Sequence, residues 1–154
     1  MQYWLFKTEP DAFSIDDLVN MPNQTEHWDG IRNYQARNYL RDQLKLGDQV
    51  FIYHSSCKYV GIVGLAEVVK EAYPDHTQFD PESRYYDPKS TPENPRWFMV
   101  NVQFVEKFNR VLSLKEIKAM PEITEVGLVK KGHRLSILPV NAGEFTVLLK
   151  AAKS

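Results

Sequence analysis

The sequence is poor in the residues that announce common chemistries. It has one cysteine, Cys57, so no internal disulfide can form and a reducing compartment suits it. It holds no Cys-x-x-Cys pair, no His-x-x-x-His spacing and no glycine-rich phosphate loop. The usual signatures of zinc, redox and nucleotide chemistry are therefore missing. No cofactor is expected, and none of the scattered histidines, His27, His54, His76 and His133, is expected to bind metal. No run of about 18 uncharged residues occurs, so no transmembrane helix and no membrane partner are expected. A secretory signal pattern is missing too, because Lys7, Glu9, Asp11, Asp16 and Asp17 interrupt the first residues. No disulfide-linked partner is expected, and the expected location is cytoplasmic, or nuclear in a eukaryote. Nor is there an excess of one charge: 19 Lys+Arg meet 20 Asp+Glu. Proteins that grip long stretches of phosphate backbone usually carry a basic excess. Any nucleic-acid contact here must be local.

What is present suits a single domain over residues 1–154, with 43% hydrophobic and 12% aromatic residues, three of them Trp. Residues 3–8 read as an aromatic strand ended by Pro10. Ser14 and Asp17 have capping-box spacing, and Phe13 and Leu18 have staple spacing, so a short helix follows. Residues 20–32 read as an irregular loop carrying Trp28. A helix is predicted over about 34–44, then strands over 49–54 and about 59–69, the second with Gly61 and Gly64 inside it. Glycine within a strand points to a bulge or a close backbone approach. Phe98, Val100, Val102 and Phe104 alternate with Trp97, Met99, Asn101 and Gln103 along the clearest strand. Ser113 caps a helix to 120, residues 134–140 read as a strand, and Asn141 caps the last helix. The order β-α-α-β-β-loop-β-α-β-α is not that of a doubly wound fold. It favours a small, strongly curved sheet or barrel with helices around it.

Residues 72–96 break every periodicity and hold five of the nine prolines. A loop this long in a compact domain is functional or disordered. Tyr73, Phe79, Tyr85 and Tyr86 argue for order, since disordered segments are poor in aromatics.

Chemistry is best carried by aromatics. Trp28 lies between polar residues, and Trp97 lies off the apolar face of its strand. Singly, each reads as a satellite of the core. Together, near loops and polar side chains, they suggest walls that hold an unstacked base. Asp29, Asn33 and Gln35 could read a base edge. Arg32, Arg37, Lys130, Lys131 and Arg134 could meet one or two phosphates. The run His54-Ser55-Ser56-Cys57 is no catalytic dyad by sequence, because neighbours on a strand point to opposite faces.

Several segments resemble the EVE domain family: Tyr3 to Pro10, Trp28 to Asn38, Gly47-Asp48 into Phe51 to Ser55, Gly61 to Gly64, Asp80-Pro81, Tyr85 to Lys89, Pro95 to Trp97, and Arg134 to Val140. The resemblance runs in order over nearly the whole chain. It implies an α+β fold of the PUA-like group, a curved mixed β-barrel flanked by helices. That group is related to the YTH domains, which read N6-methyladenine in RNA through an aromatic pocket. It implies a nucleic-acid-binding module that accommodates a flipped, modified base, cytosine or adenine, in DNA or RNA, and not an enzyme. The ligand-binding residues implied are Lys7, Thr8, Trp28, Asp29, Gly30, Arg32, Asn33, Tyr34, Ser55, Ser56, Trp97, Arg134 and Ser136, with Trp28 and Trp97 as facing walls. Tyr85, Tyr86 or Phe79 could add a third. The alternative, from relatives of the ASCH type, is a small hydrolase or nuclease acting on nucleosides or RNA, with Lys7, Glu9, Asp29 and His54 as acid–base candidates.

Overall fold

The computed structural model describes residues 1–154. Its centre is β1 (Tyr3–Thr8), paired in parallel with β3 (Gln49–His54). Parallel neighbours need a long crossover. Here it consists of α1 (Ile15–Val19), the short strand β2 (Thr25–His27) and α2 (Tyr34–Asn38), which continues as one wider turn over Tyr39–Gln43. Two long antiparallel strands follow, β4 (Gly61–Pro74) and β5 (Phe98–Ser113), then α3 (Leu114–Ala119), β6 (Ile137–Val140) and α4 (Ala142–Lys153). The sheet order is β2-β5-β4-β3-β1-β6. The expected curved mixed sheet is present, but it is not closed into a barrel: β2 and β6 remain its two edges.

Both faces of the sheet are buried. Along β1, Trp4 and Phe6 point to one core and Leu5 to the other. Along β3, Val50 and Ile52 oppose Phe51 and Tyr53. Strands covered on both sides read as continuous apolar runs, which is why β1 and β3 are so legible. The first core takes Ile15, Leu18, Ala36 and Leu40 from α1 and α2. The second takes Ile117, Phe145 and Leu148 from α3 and α4. Helix starts are set locally. Ser14 and Asp17 complete a reciprocal capping box. Asn33, Ser113 and Asn141 each accept the backbone N–H three residues on.

The bending has a sequence cause. A Cβ at Gly64 would lie 2.6 Å from the Glu106 carbonyl oxygen and 2.8 Å from Ile15 Cδ1. Only glycine lets β4 and β5 approach so closely there, and the register shifts between Ile62 and Gly64. No helix is long and apolar enough to cross a membrane.

The segment after β4 is ordered by polar side chains. Gln78 is fully buried. Its amide donates to the Asp75 and Trp97 carbonyls at 2.7 and 2.8 Å, and its oxygen accepts the Arg96 and Trp97 N–H groups, both at 3.1 Å. One side chain thus ties the two ends of the loop together.

Candidate functional site

Beside the end of β1 lies a cleft of about 470 Å³, within the ~300–1,000 Å³ range of small-molecule sites. Lys7 and Thr8 reach it from β1, Glu9 and Phe13 from the turn between β1 and α1, Glu26 to Ile31 from β2 and the turn after it, and Arg84 and Tyr85 from the long loop. Trp28 is 7% exposed. It leans on Phe6, with centroids 5.4 Å apart, and on the edge of Phe13 at 5.8 Å. It belongs to the core and to the cleft at once.

The Tyr85 side of the cleft is built through Asp75, a fully buried carboxylate. It accepts the Gly30 N–H at 2.8 Å, the Thr77 N–H at 2.8 Å and the Arg32 guanidinium at 3.1 Å. Burial pushes its carboxyl up. The hydrogen bonds from Thr77, Gly30 and Arg32 outweigh that, and the group titrates below the ordinary aspartate range. Arg32 also donates to the Tyr85 carbonyl at 2.8 and 3.1 Å and to Thr77 at 3.0 Å. Its guanidinium is therefore consumed in placing Tyr85 and is not free for a phosphate. Gly30 has φ +80°, and a Cβ there would strike the Tyr85 ring at 2.7 Å. Glycine is required both for the turn and for the ring beside it.

Of the residues expected at the site, Lys7, Thr8, Trp28, Asp29 and Gly30 line this cleft. Ser136 and Ser55 flank it through the backbone. The Lys7 N–H donates to the Ser136 carbonyl at 2.8 Å, and the Ser55 N–H to the Thr8 carbonyl at 3.0 Å. Ser56 does not line the cleft and has a left-handed backbone, φ +54°, and Arg134 is exposed. Asn33 spends its side chain on capping α2. Gln35 donates to the Tyr39 hydroxyl, and Arg37 to the Arg96 carbonyl.

The expectation that Trp28 and Trp97 face each other across one cavity is corrected. Trp97 is 6% exposed and does not line the cleft. Its indole N–H donates to Asp87 at 2.7 Å, and its ring stacks on Tyr34 at 4.8 Å. Arg32 and Arg37 lie 5.3 and 5.9 Å from its centre. The reason is the loop tied back by Gln78, which covers that end of β5. Tyr34 is thereby a cover for Trp97 and not a cleft residue. Tyr85 lines the cleft, whereas Trp97 does not. Ala12, Phe13, Glu26, His27, Ile31 and Arg84 also line the cleft, beyond the residues expected there. The staple spacing that marked Phe13 was the one available signal. His54, an acid–base candidate, lies elsewhere and accepts the Ile15 N–H at 3.1 Å.

Among the cleft's charges, Lys7 is half-buried, and desolvation lowers its ammonium below the ordinary lysine value. Arg84 stands 5.0 Å from the Tyr85 ring centre. Glu9, Glu26 and Asp29 supply the acids. The cleft can hold a flat apolar body against aromatics, with donors and acceptors around its rim.

The EVE domain profile matches residues 2–151. The chain belongs to the EVE domain family. Thymocyte nuclear protein 1 of Homo sapiens is 47% identical over 163 residues, covering 96% of this chain and 72% of that protein. A crystal structure of a Pseudomonas syringae protein superposes with a TM-score of 0.92 at 46% identity, covering 97% of this chain and 99% of that one. The human THYN1 protein, solved in complex with DNA containing 5-methylcytosine, gives a TM-score of 0.90 at 45% identity and covers 100% and 99%. The YTH domain of the Zygosaccharomyces rouxii MRB1 protein shares the fold alone, at 12% identity with a TM-score of 0.54, covering 99% of this chain and 86% of that one. The EVE architecture is thus an α+β, PUA-like fold.

Proposed function

We propose that this EVE domain reads a modified base in nucleic acid: a single nucleotide leaves its strand and its base enters the cleft beside Trp28, Phe13 and Tyr85. The observation that carries the reading is Tyr85. An internal loop residue is fastened by Arg32 and Asp75 so that it lines the same cleft as Trp28. Human THYN1, as similar as it is, was solved with DNA containing 5-methylcytosine, which makes that base the first to test.

The energetics are close to balanced. Extruding a base costs a few kcal/mol, and stacking one face returns ~1–3 kcal/mol. Hydrogen bonds to its edge add ~1–3 kcal/mol of discrimination. Burying the extra methyl adds about 0.8 kcal/mol, a preference of roughly fourfold. Lys7 and Arg84 can each meet a phosphate, so log affinity for a single strand falls with log salt at a slope of about −1.4.

The test is fluorescence anisotropy on matched oligonucleotides with 5-methylcytosine or cytosine at one position. Trp28 is unsuitable for truncation, because losing a core Trp costs ~3–5 kcal/mol of stability. Tyr85→Ala removes the ring and keeps the carbonyl that Arg32 holds. It should cut the preference below about twofold, since the methyl then has less surface to bury against. Tyr86→Ala, an exposed neighbour outside the cleft, should leave the preference intact. Full preference retained in Tyr85→Ala defeats the reading.

A further inference from the structure

The histidines scattered in the sequence are not all scattered in space. His27 ends β2, Asp29 lies two residues on, and His76 begins the helical turn capped by Asp75. One ligand atom from each of these three lies within 4.8 Å of the other two. His27 Nε2 is 3.8 Å from Asp29 Oδ2, and the two imidazoles meet edge to face with centroids 5.1 Å apart. Tetrahedral ligands at ~2.0–2.2 Å from a zinc ion stand roughly 3.4 Å from one another. Modest side-chain rotations close the remaining gap, and the exposed His76 is free to make them.

A second feature sets this cluster apart from a chance meeting of surface residues. The other nitrogen of His27, Nδ1, sits 3.3 Å from the Glu26 carboxylate, whose side chain is only 18% exposed. Glu26 is in turn held in place by the His27 backbone N–H at 2.9 Å. Metal-binding imidazoles characteristically give their second N–H to a carboxylate, which sets the tautomer and aims the free nitrogen at the ion. The aimed nitrogen here is Nε2, the atom facing Asp29.

We propose that His27, Asp29 and His76 form a binding site for a divalent transition metal, with Glu26 as the positioning residue behind His27. Two imidazoles and one carboxylate suit zinc, and three protein ligands leave one position open. That position takes water or an anionic oxygen. Because His27 and Asp29 also line the cleft, the open position lies at its rim. The site stands on its own geometry and does not depend on the base-reading proposal.

The experiment is isothermal titration of tag-free protein with zinc chloride in the absence of nucleic acid, with cobalt absorption as a second readout. One site per chain is expected, with the intense visible bands of tetrahedral cobalt. His76→Ala and Asp29→Asn should each weaken zinc at least about tenfold. Glu26→Gln, which keeps all three ligands, should weaken it by ~10-fold or more through loss of orientation. Cys57→Ser, which removes the one thiol in the chain, should change nothing. His76 is exposed, so its variant folds, and a thermal melt without metal verifies that. No saturable zinc binding by the parent protein, zinc binding unchanged in His76→Ala, or binding lost in Cys57→Ser each overturns the site.

Discussion

Gln78 offers the sharpest test of how the long loop is held. Replacing it with Leu keeps the volume near its native value and removes all four hydrogen bonds. The carbonyls suffer least: Trp97 O still accepts the Asp75 N–H at 3.0 Å. The two N–H groups of Arg96 and Trp97 lose the partner recorded for them. An unpaired buried donor costs ~1–3 kcal/mol; the Trp97 N–H is one and the half-buried Arg96 N–H adds less, so Gln78→Leu should lose at least about 1–3 kcal/mol. That is a large share of a stability of ~5–15 kcal/mol. For a chain of this length each kcal/mol moves the midpoint ~2–4 °C, so a fall of at least about 2 °C is expected. Urea titration gives the free energy, and limited proteolysis asks where the damage lies. Cleavage should appear between residues 80 and 96, because that segment loses its tie at both ends. A loss below about 1 kcal/mol, or cleavage spread evenly over the chain, would refute the claim that the Gln78 amide ties the two ends of the loop together.

Two further outcomes follow from the turn after Trp28. Gly30→Ala places a Cβ 2.7 Å from the Tyr85 ring at a φ of +80°. The backbone alone should cost ~1–2 kcal/mol, and the displaced ring should also lower base affinity. A melt and an anisotropy titration read the two effects separately, and an unchanged melt would show the position to be relaxed. Asp75 makes stability pH-dependent. Its folded carboxyl lies below the unfolded value, so its contribution is complete above the unfolded range of about 4 and is lost as pH falls through the lower folded pKa. Asp75→Asn should be less stable at pH 7 and should flatten the decline measured by urea titration between about pH 5 and 2. A variant with the parent's acid profile would mean that other carboxylates carry it.

Local chemistry alone determined much of this chain. The cap at Ser14 needs only residues three apart, as do those at Ser113 and Asn141, so these helix starts are legible without a fold, whereas Asn33, expected to read a base, caps α2 instead. β1 and β3 show as continuous apolar runs because both their faces are buried, and Gly61 and Gly64 announce the bend because nothing else fits between adjacent strands. The EVE motifs carried the fold, and five of the expected site residues, Lys7, Thr8, Trp28, Asp29 and Gly30, do meet in one cleft. The rest depended on contacts between distant segments. β2 has only three residues and exists because β5 offers it an edge. Gln78 and Asp75 look like loop surface in the sequence, yet they are fully buried, since their polar atoms satisfy backbone and guanidinium groups brought together by folding. Tyr85 lies within the loop and Trp97 at its end, and both are aromatic. Which of them faces the cleft was decided by where Gln78, Arg32 and Asp75 anchor that loop, and hydrogen bonds spanning 18 to 53 residues of sequence leave no local periodicity to read.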